Sequence, residues 1–244
     1  MKRPHLKPDE AARLARLIAR RTDKGALATS RRAARPSQKG HPYVSKVGVA
    51  WDLDGSPLFL FSTLAAHTQD LLADGRASLL LEAPTTKDNP LEGARTTLVG
   101  KVRQLAGADT QAARARYLNT HPAAAMYADF GDFALWRMDI EKVHYVGGFG
   151  AAKWTKAQDF VTPPLDLGEK ANRIVDSYAE DARCVFTHVH ARSARGWKLV
   201  EIDPDGLVFQ GPKKKSERVD FASPATDAKS WRTRLRALVK KAKA

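Results

Sequence analysis

Residues 57–72, PLFLFSTLAAHTQDLL, join an unbroken apolar run to a helical pattern through two hydroxyl residues. PLFLFS has the length and composition of a strand, and the residues after Ser62 are predicted to form an amphipathic helix ending near Asp74 and Gly75, where glycine can take the left-handed conformation. RASLLLEA at 76–83 then resumes as a buried strand. Ser62, Thr63, His67 and Thr68 crowd the opening turn. They read either as a cap for the helix or as a polar site at its positive N-terminal end.

Working outward, YVSKVGVAW at 43–51 is expected to form a hairpin with PLFLFS across the turn Asp52-Leu53-Asp54-Gly55. GALATS at 25–30 has strand character, and Leu14, Leu17 and Ile18 mark a helix from Asp9 to Arg21 that follows Pro8. Downstream, RTTLVGKVRQL at 95–105 alternates as a strand, 109–118 and 121–128 read as helices, and FALWRMDIEKVHYVGG at 133–148 reads as two strands or one long bent one. Strands that arrive as hairpins, with helices only at intervals, imply an antiparallel barrel and not a doubly wound parallel sheet. TPPLDLGEK at 162–170 has linker composition. A smaller pattern follows: a helix from about Ala171, strands at 197–203 and 207–210 around the turn Pro204-Asp205-Gly206, a strand in ERVDF, and a last helix from Asp227 to about Lys241. The expected fold class is therefore α+β, with a barrel and flanking helices over residues 1–160 and a small C-terminal α+β domain over 168–244.

The chain has 244 residues, 43% hydrophobic and 28% charged, and no apolar run approaches a bilayer-spanning length. Its N-terminus lacks the apolar core of a secretory signal and Cys184 is its single cysteine. Both features fit a cytoplasmic protein without intrachain disulfides. The formal charge of +14 would attract anions. The cations are dispersed, with Arg31, Arg32 and Arg35 in one loop, Lys213 to Lys215 in another and Lys240, Lys241 and Lys243 at the tail. That pattern reads as a solvated surface and not as a nucleic-acid track. Zinc-ligand cysteine clusters, the phosphate-loop signature, the nucleophile elbow and His-Glu-x-x-His are all missing from the sequence.

The succession GALATS, HPYVSKVGVAWDLDGSPLFLFSTLAAHTQDLLADGRASLLLE, RTTLVGKVRQL and HPAAAMYADFGDFALWRMDIEKVHYVGGFGAAKW, followed by a small second domain, resembles the pyridoxamine 5′-phosphate oxidase-like split-barrel superfamily. More narrowly it is similar to the HugZ-type haem-utilisation branch with its usual C-terminal domain. The resemblance implies a split barrel that forms a homodimer, with flavin mononucleotide (FMN) or haem in clefts at the interface. It also implies an FMN-dependent oxidoreductase acting on an unidentified small substrate. Carried over motif by motif, the FMN phosphate would be held by Lys46, Ser62, Thr63, His67, Thr68, Arg95 and Thr96. His67 and Thr68 stand where the oxidases carry an Arg-Lys pair, so two permanent cations are replaced by a mostly neutral imidazole and a hydroxyl.

Two alternatives accompany this reading. In the first the chain is a haem-binding or haem-utilisation protein, with His144 as iron ligand and Asp129 or Asp132 orienting the imidazole. The aromatic residues Tyr127, Phe130, Phe133 and Trp136 could wall either cofactor. In the second it is a non-enzymatic, partner-binding dimer with a vestigial pocket. The C-terminal domain would then serve interaction or stability, because the relatives' His-Met-Asn-x-Asp-His pattern is here Ser177 to Ala182 without either histidine. His188 and His190 could share a metal only on a strand, since on a helix residues two apart diverge by about 200°.

Overall fold

The computed structural model describes residues 6–32, 40–148, 150–163, 177–212 and 215–244. Arg35, the linker residues 164–170, the expected helix start at Ala171, and Lys213 and Lys214 lie outside them. The chain divides into two compact units, Met1–Val161 and Thr162–Ala244.

The first unit opens with α1 (Pro8–Arg20), which has proline in its first turn and Asp9 and Glu10 at the positive end of its dipole. Its buried face is built from Ala11, Ala12, Ala15, Ile18 and Ala19. The leucines that marked the helix in the sequence are less deeply placed. Small side chains let α1 approach the sheet closely, and two buried arginines tie it down: Arg16 donates to Phe160 O (2.7 Å), and Arg20 to Asp52 O (2.7 Å) and Leu53 O (2.6 Å).

Strands β1 (Lys24–Ser30), β2 (Pro42–Gly48), β3 (Ala50–Trp51), β4 (Pro57–Ser62), β5 (Arg76–Glu82), β6 (Arg95–Gln104), β7 (Phe133–Val146) and β8 (Ala152–Lys156) form one antiparallel sheet. Its order is β2-β1-β5-β6-β7-β4-β3, with β8 also on β7. The start of β7 pairs with β4 and its end with β8, while its other edge runs along β6. The strand changes partners at a bulge, where the register shifts between Val99 and Gly100. A Cβ at Gly100 would lie 2.1 Å from Asp139 O, so only glycine permits this approach.

PLFLFS is buried on both faces. Phe59 and Phe61 enter the barrel core with Leu27, Leu79, Leu98, Trp136 and Val143. Leu58 and Leu60 pack on the other side with Leu105, Ala113, Tyr117 and Leu135, beneath α3 (Ala108–Thr120). Helix α2 (Ala66–Ala73) follows β4, and the short α4 (Ala157–Phe160) ends the unit.

Four local expectations change. The hairpin between β3 and β4 is confined to Ala50 and Trp51, because β2 leaves at Gly48 to pair along the whole of β1. Residues 122–126 form a 3-10 turn where an α-helix was expected. Gly75 is not left-handed; its place is next to β6, with Val102 O only 3.0 Å from a hypothetical Cβ. Helix α2 begins at Ala66 with Ala65 as an N-cap that offers no side-chain bond, so neither Ser62 nor Thr63 caps it.

The second unit comprises α5 (Ala179–His190), β9 (Lys198–Asp203), β10 (Gly206–Gln210), β11 (Ser216–Asp220) and α6 (Ala228–Lys243). The three strands form a meander, and Phe186, Trp197, Phe209 and Trp231 fill its core. Asp227 and Ser230 make a reciprocal capping box at the start of α6. Among the described residues no helix is long and apolar enough to cross a membrane.

Candidate cofactor site

Antiparallel pairing places one row of side chains on the face of the sheet opposite the core. Lys46 stands across from Ala26, Ala26 from Leu80, Leu80 from Thr97, Thr97 from His144, and His144 from Trp154. Residues opposed in this way share a face. Their chain neighbours Leu27, Leu79, Leu98 and Val143 point into the core. The row therefore defines an open face, on which Val44 (60%) and Trp154 (55%) remain exposed.

His144 is the chemically distinctive member of that row. Its ring stacks on Trp154, with centroids 4.5 Å apart and planes 18° from parallel. Partial burial pushes its pKa below the ordinary value of 6.5, and the charge of Arg95 adds to the effect. A neutral imidazole is the form that ligates a metal. Neither ring nitrogen has a hydrogen-bond partner among the described residues. Arg95 itself is held by Leu91 O (3.0 Å) and Gly93 O (3.3 Å) in the loop before β6.

Most of the remaining expected FMN ligands are engaged within the protein or enclosed by it. Ser62 Oγ donates to Asp132 Oδ2 (2.5 Å) and accepts from Leu64 N (3.1 Å). The Thr63 amide donates to Asp132 O (2.7 Å), and Thr63 O accepts from Gln69 Nε2 (2.6 Å). Thr68 and Thr96 have no exposed surface, and Thr96 Oγ1 points across the sheet to His144 O (3.2 Å). Neither hydroxyl is open to the surface of this chain. His67 packs edge-on against Phe61 (4.6 Å), and burial pushes its pKa below 6.5 against the opposing pull of Asp70. Its Nε2 is buried without a partner among the described residues.

One turn later on α2 lies Asp70, 2% exposed. It accepts from Thr29 Oγ1 (3.1 Å) and the Arg32 amide (2.9 Å), and Arg31 approaches to 3.8 Å. The first turn of α2 therefore carries no cation, and a buried carboxylate occupies its inner side. Lys46 lies three strand spacings from Thr97, about 14 Å, so it and Arg95 mark different regions of the open face.

The partners expected for His144 are elsewhere as well. Asp132 serves Ser62, and Asp129 pairs with Arg114 (2.7 Å); both precede β7, whereas His144 is near its far end. Trp136 is in the core at 2% exposure, while Tyr127 and Phe130 cluster with Phe133 at the start of β7. In the second unit His188 and His190 fall on α5, so they diverge and do not form a metal pair. No cluster of three metal-ligating side chains occurs among the described residues.

Sequence reasoning missed Trp154. It lies in AAKWTK after a glycine-rich turn, and alternation of Trp154 and Lys156 with the buried Thr155 was the signal for a half-buried strand.

The comparisons agree with this architecture. The profile described as "CREG, beta-barrel" matches residues 6–162. The chloroplastic non-canonical heme oxygenase HOZ of Arabidopsis thaliana is 31% identical over 222 residues, spanning 85% of this chain and 68% of that protein. A solved heme binding protein from Mycobacterium smegmatis is 28% identical, with a TM-score of 0.58, over 96% of this chain and 97% of its own. A protein of unknown function from Agrobacterium tumefaciens is also 28% identical over the same shares, with a TM-score of 0.72. On the matched barrel and the extent of these similarities, the chain belongs to the CREG β-barrel family.

Proposed function

We propose that this protein binds haem on the open face of the barrel, with His144 as an iron ligand. The observation that carries the reading is an imidazole whose pKa burial lowers and whose nitrogens have no partner among the described residues, stacked on an exposed tryptophan among partly apolar neighbours. Two relatives named for haem support it, as does the resemblance to the HugZ-type branch. Bound haem would supply iron-centred redox and oxygen chemistry. The chain's own contribution would be to ligate through His144, to fix that ring against Trp154, and to keep it unprotonated beside Arg95.

The exposed Val44 and Trp154 make the same face suited to burial by a second copy, so the homodimer implied by the resemblance forms part of this proposal. Haem degradation is the second reading, favoured by the name of the plant relative. An FMN phosphate finds weaker support, because Thr68 is buried and Asp70 places a carboxylate on the helix that would receive it.

Titration of the purified chain with haemin and with FMN tests the proposal. The expected result is a saturable Soret band at micromolar haemin and no flavin retained after desalting. Retention of flavin together with free haemin would reverse the assignment. Addition of a reductant in air to the haem complex separates storage from degradation through the persistence or loss of the Soret band.

A further inference from the structure

A groove of about 600 Å³ adjoins the stacked pair on the first unit. It is bordered by Pro8, Lys142, Trp154, Thr155, Lys156 and Asp159, and it falls in the size range of small-molecule sites. Lys142 on β7 and Lys156 on β8 are directly opposed in the sheet register. Like charges in that position repel, so an unbalanced cross-strand lysine pair costs stability unless an anion offsets it. Neither lysine has an ion-pair partner among the described residues, and Asp159 pairs with neither across the groove.

Thr155 also borders the groove, but opposite Val143 its side chain is on the core face of β8, away from the two lysines. Thr155 is 6% exposed, and its hydroxyl is buried without a hydrogen-bond partner among the described residues. A hydroxyl enclosed in this way does not reach a ligand in the groove, which leaves recognition there to the two lysines. Trp154 supplies a flat apolar wall beside these groups.

We infer that Lys142 and Lys156 form a carboxylate-binding pair for a ligand with a flat apolar body. The inference rests on the haem reading to the extent that haem is the ligand, in which case the pair takes its propionates. Two residues of extended strand, about 7 Å, separate Lys142 from His144 along β7. Iron ligation and acid recognition are thus assigned to adjacent but separate groups. Lysine suits this role as a point charge on a flexible stem that reaches across apolar surface.

Metal-free protoporphyrin IX and its dimethyl ester test the pair without iron. Binding of each to the intact chain is read from porphyrin fluorescence, in wild type and in Lys142→Gln/Lys156→Gln. The wild type should bind the diacid at least tenfold more tightly than the ester, and the double variant should bind the two alike. Equal affinity of wild type for diacid and ester, undiminished diacid binding by the double variant, or no porphyrin binding at all would each overturn the inference. Haemin added to His144→Ala reports on the iron ligand separately, so failure of the haem reading is distinguishable from failure of the lysine pair.

Discussion

His144 and Trp154 stand opposite each other on β7 and β8 and stack with their planes 18° apart, which fixes an imidazole at the open surface of the barrel. The indole restricts the rotamers of a partly exposed ring, and less ordering entropy is lost when that ring meets a metal. Trp154→Ala should therefore weaken haemin binding by about tenfold, or about 1.4 kcal/mol, while the Soret position stays that of a histidine complex. Trp154→Phe, which keeps a stacking partner, should recover most of the loss. Unchanged affinity in Trp154→Ala would remove the indole from the site.

The two depressed imidazoles give acid sensitivity a definite sign. Burial lowers the pKa of both His67 and His144 below 6.5 in the folded chain. Between the lowered value and 6.5 the unfolded chain binds more protons than the folded one, so stability is intact above pH 6.5 and falls as pH drops below it. Urea unfolding at pH 7.5 and 5.5 should show this loss in wild type and a smaller one in His67→Gln. An equal loss in both would acquit His67.

Gly100 is expected to be intolerant of any side chain. Its Cβ position lies 2.1 Å from Asp139 O, at the bulge where β7 changes register. Gly100→Ala should cost about 3 kcal/mol, read as a lower urea midpoint with an unchanged slope. Gly107, at φ 66 with nothing near its Cβ position, offers a contrast in which backbone strain acts without a clash.

Within the second unit, Arg218 is enclosed by Asp203 (2.6 Å) and Asp220 (2.6 Å), and its side chain is 6% exposed. Removal of the cation leaves two buried carboxylates facing each other. Arg218→Met should destabilise this unit by about 3–5 kcal/mol, measured through Trp231 fluorescence during urea unfolding. A shift of less than about 1 kcal/mol would mean that water already screens the triad.

Much of the barrel was legible because burial writes directly into sequence period. PLFLFS is continuous where β4 is covered on both faces, and RASLLLE is apolar where β5 lines the core. β8 was not legible, since AKWTK buries only Thr155 deeply and sets Trp154 and Lys156 on its exposed face. The site was read less well than the fold for a related reason. Ser62, Thr63 and His67 are neighbours in sequence, but Lys46, His144 and Trp154 come to share one face only through five successive strand pairings. Local spacing reveals a helix terminus, whereas a row across a sheet exists only once the register is known. Thr68 illustrates the converse, since it sits at a helix start as a polar residue should and yet has no exposed surface.

The most direct test of the central claim is the absorption spectrum of haemin-titrated His144→Ala beside wild type at pH 7.5. If His144 ligates the iron, the sharp Soret band of the wild-type complex should be lost or shifted in the variant, with affinity reduced at least tenfold and far-UV circular dichroism unchanged. A Soret band of the same position, intensity and titration midpoint in both proteins would contradict it.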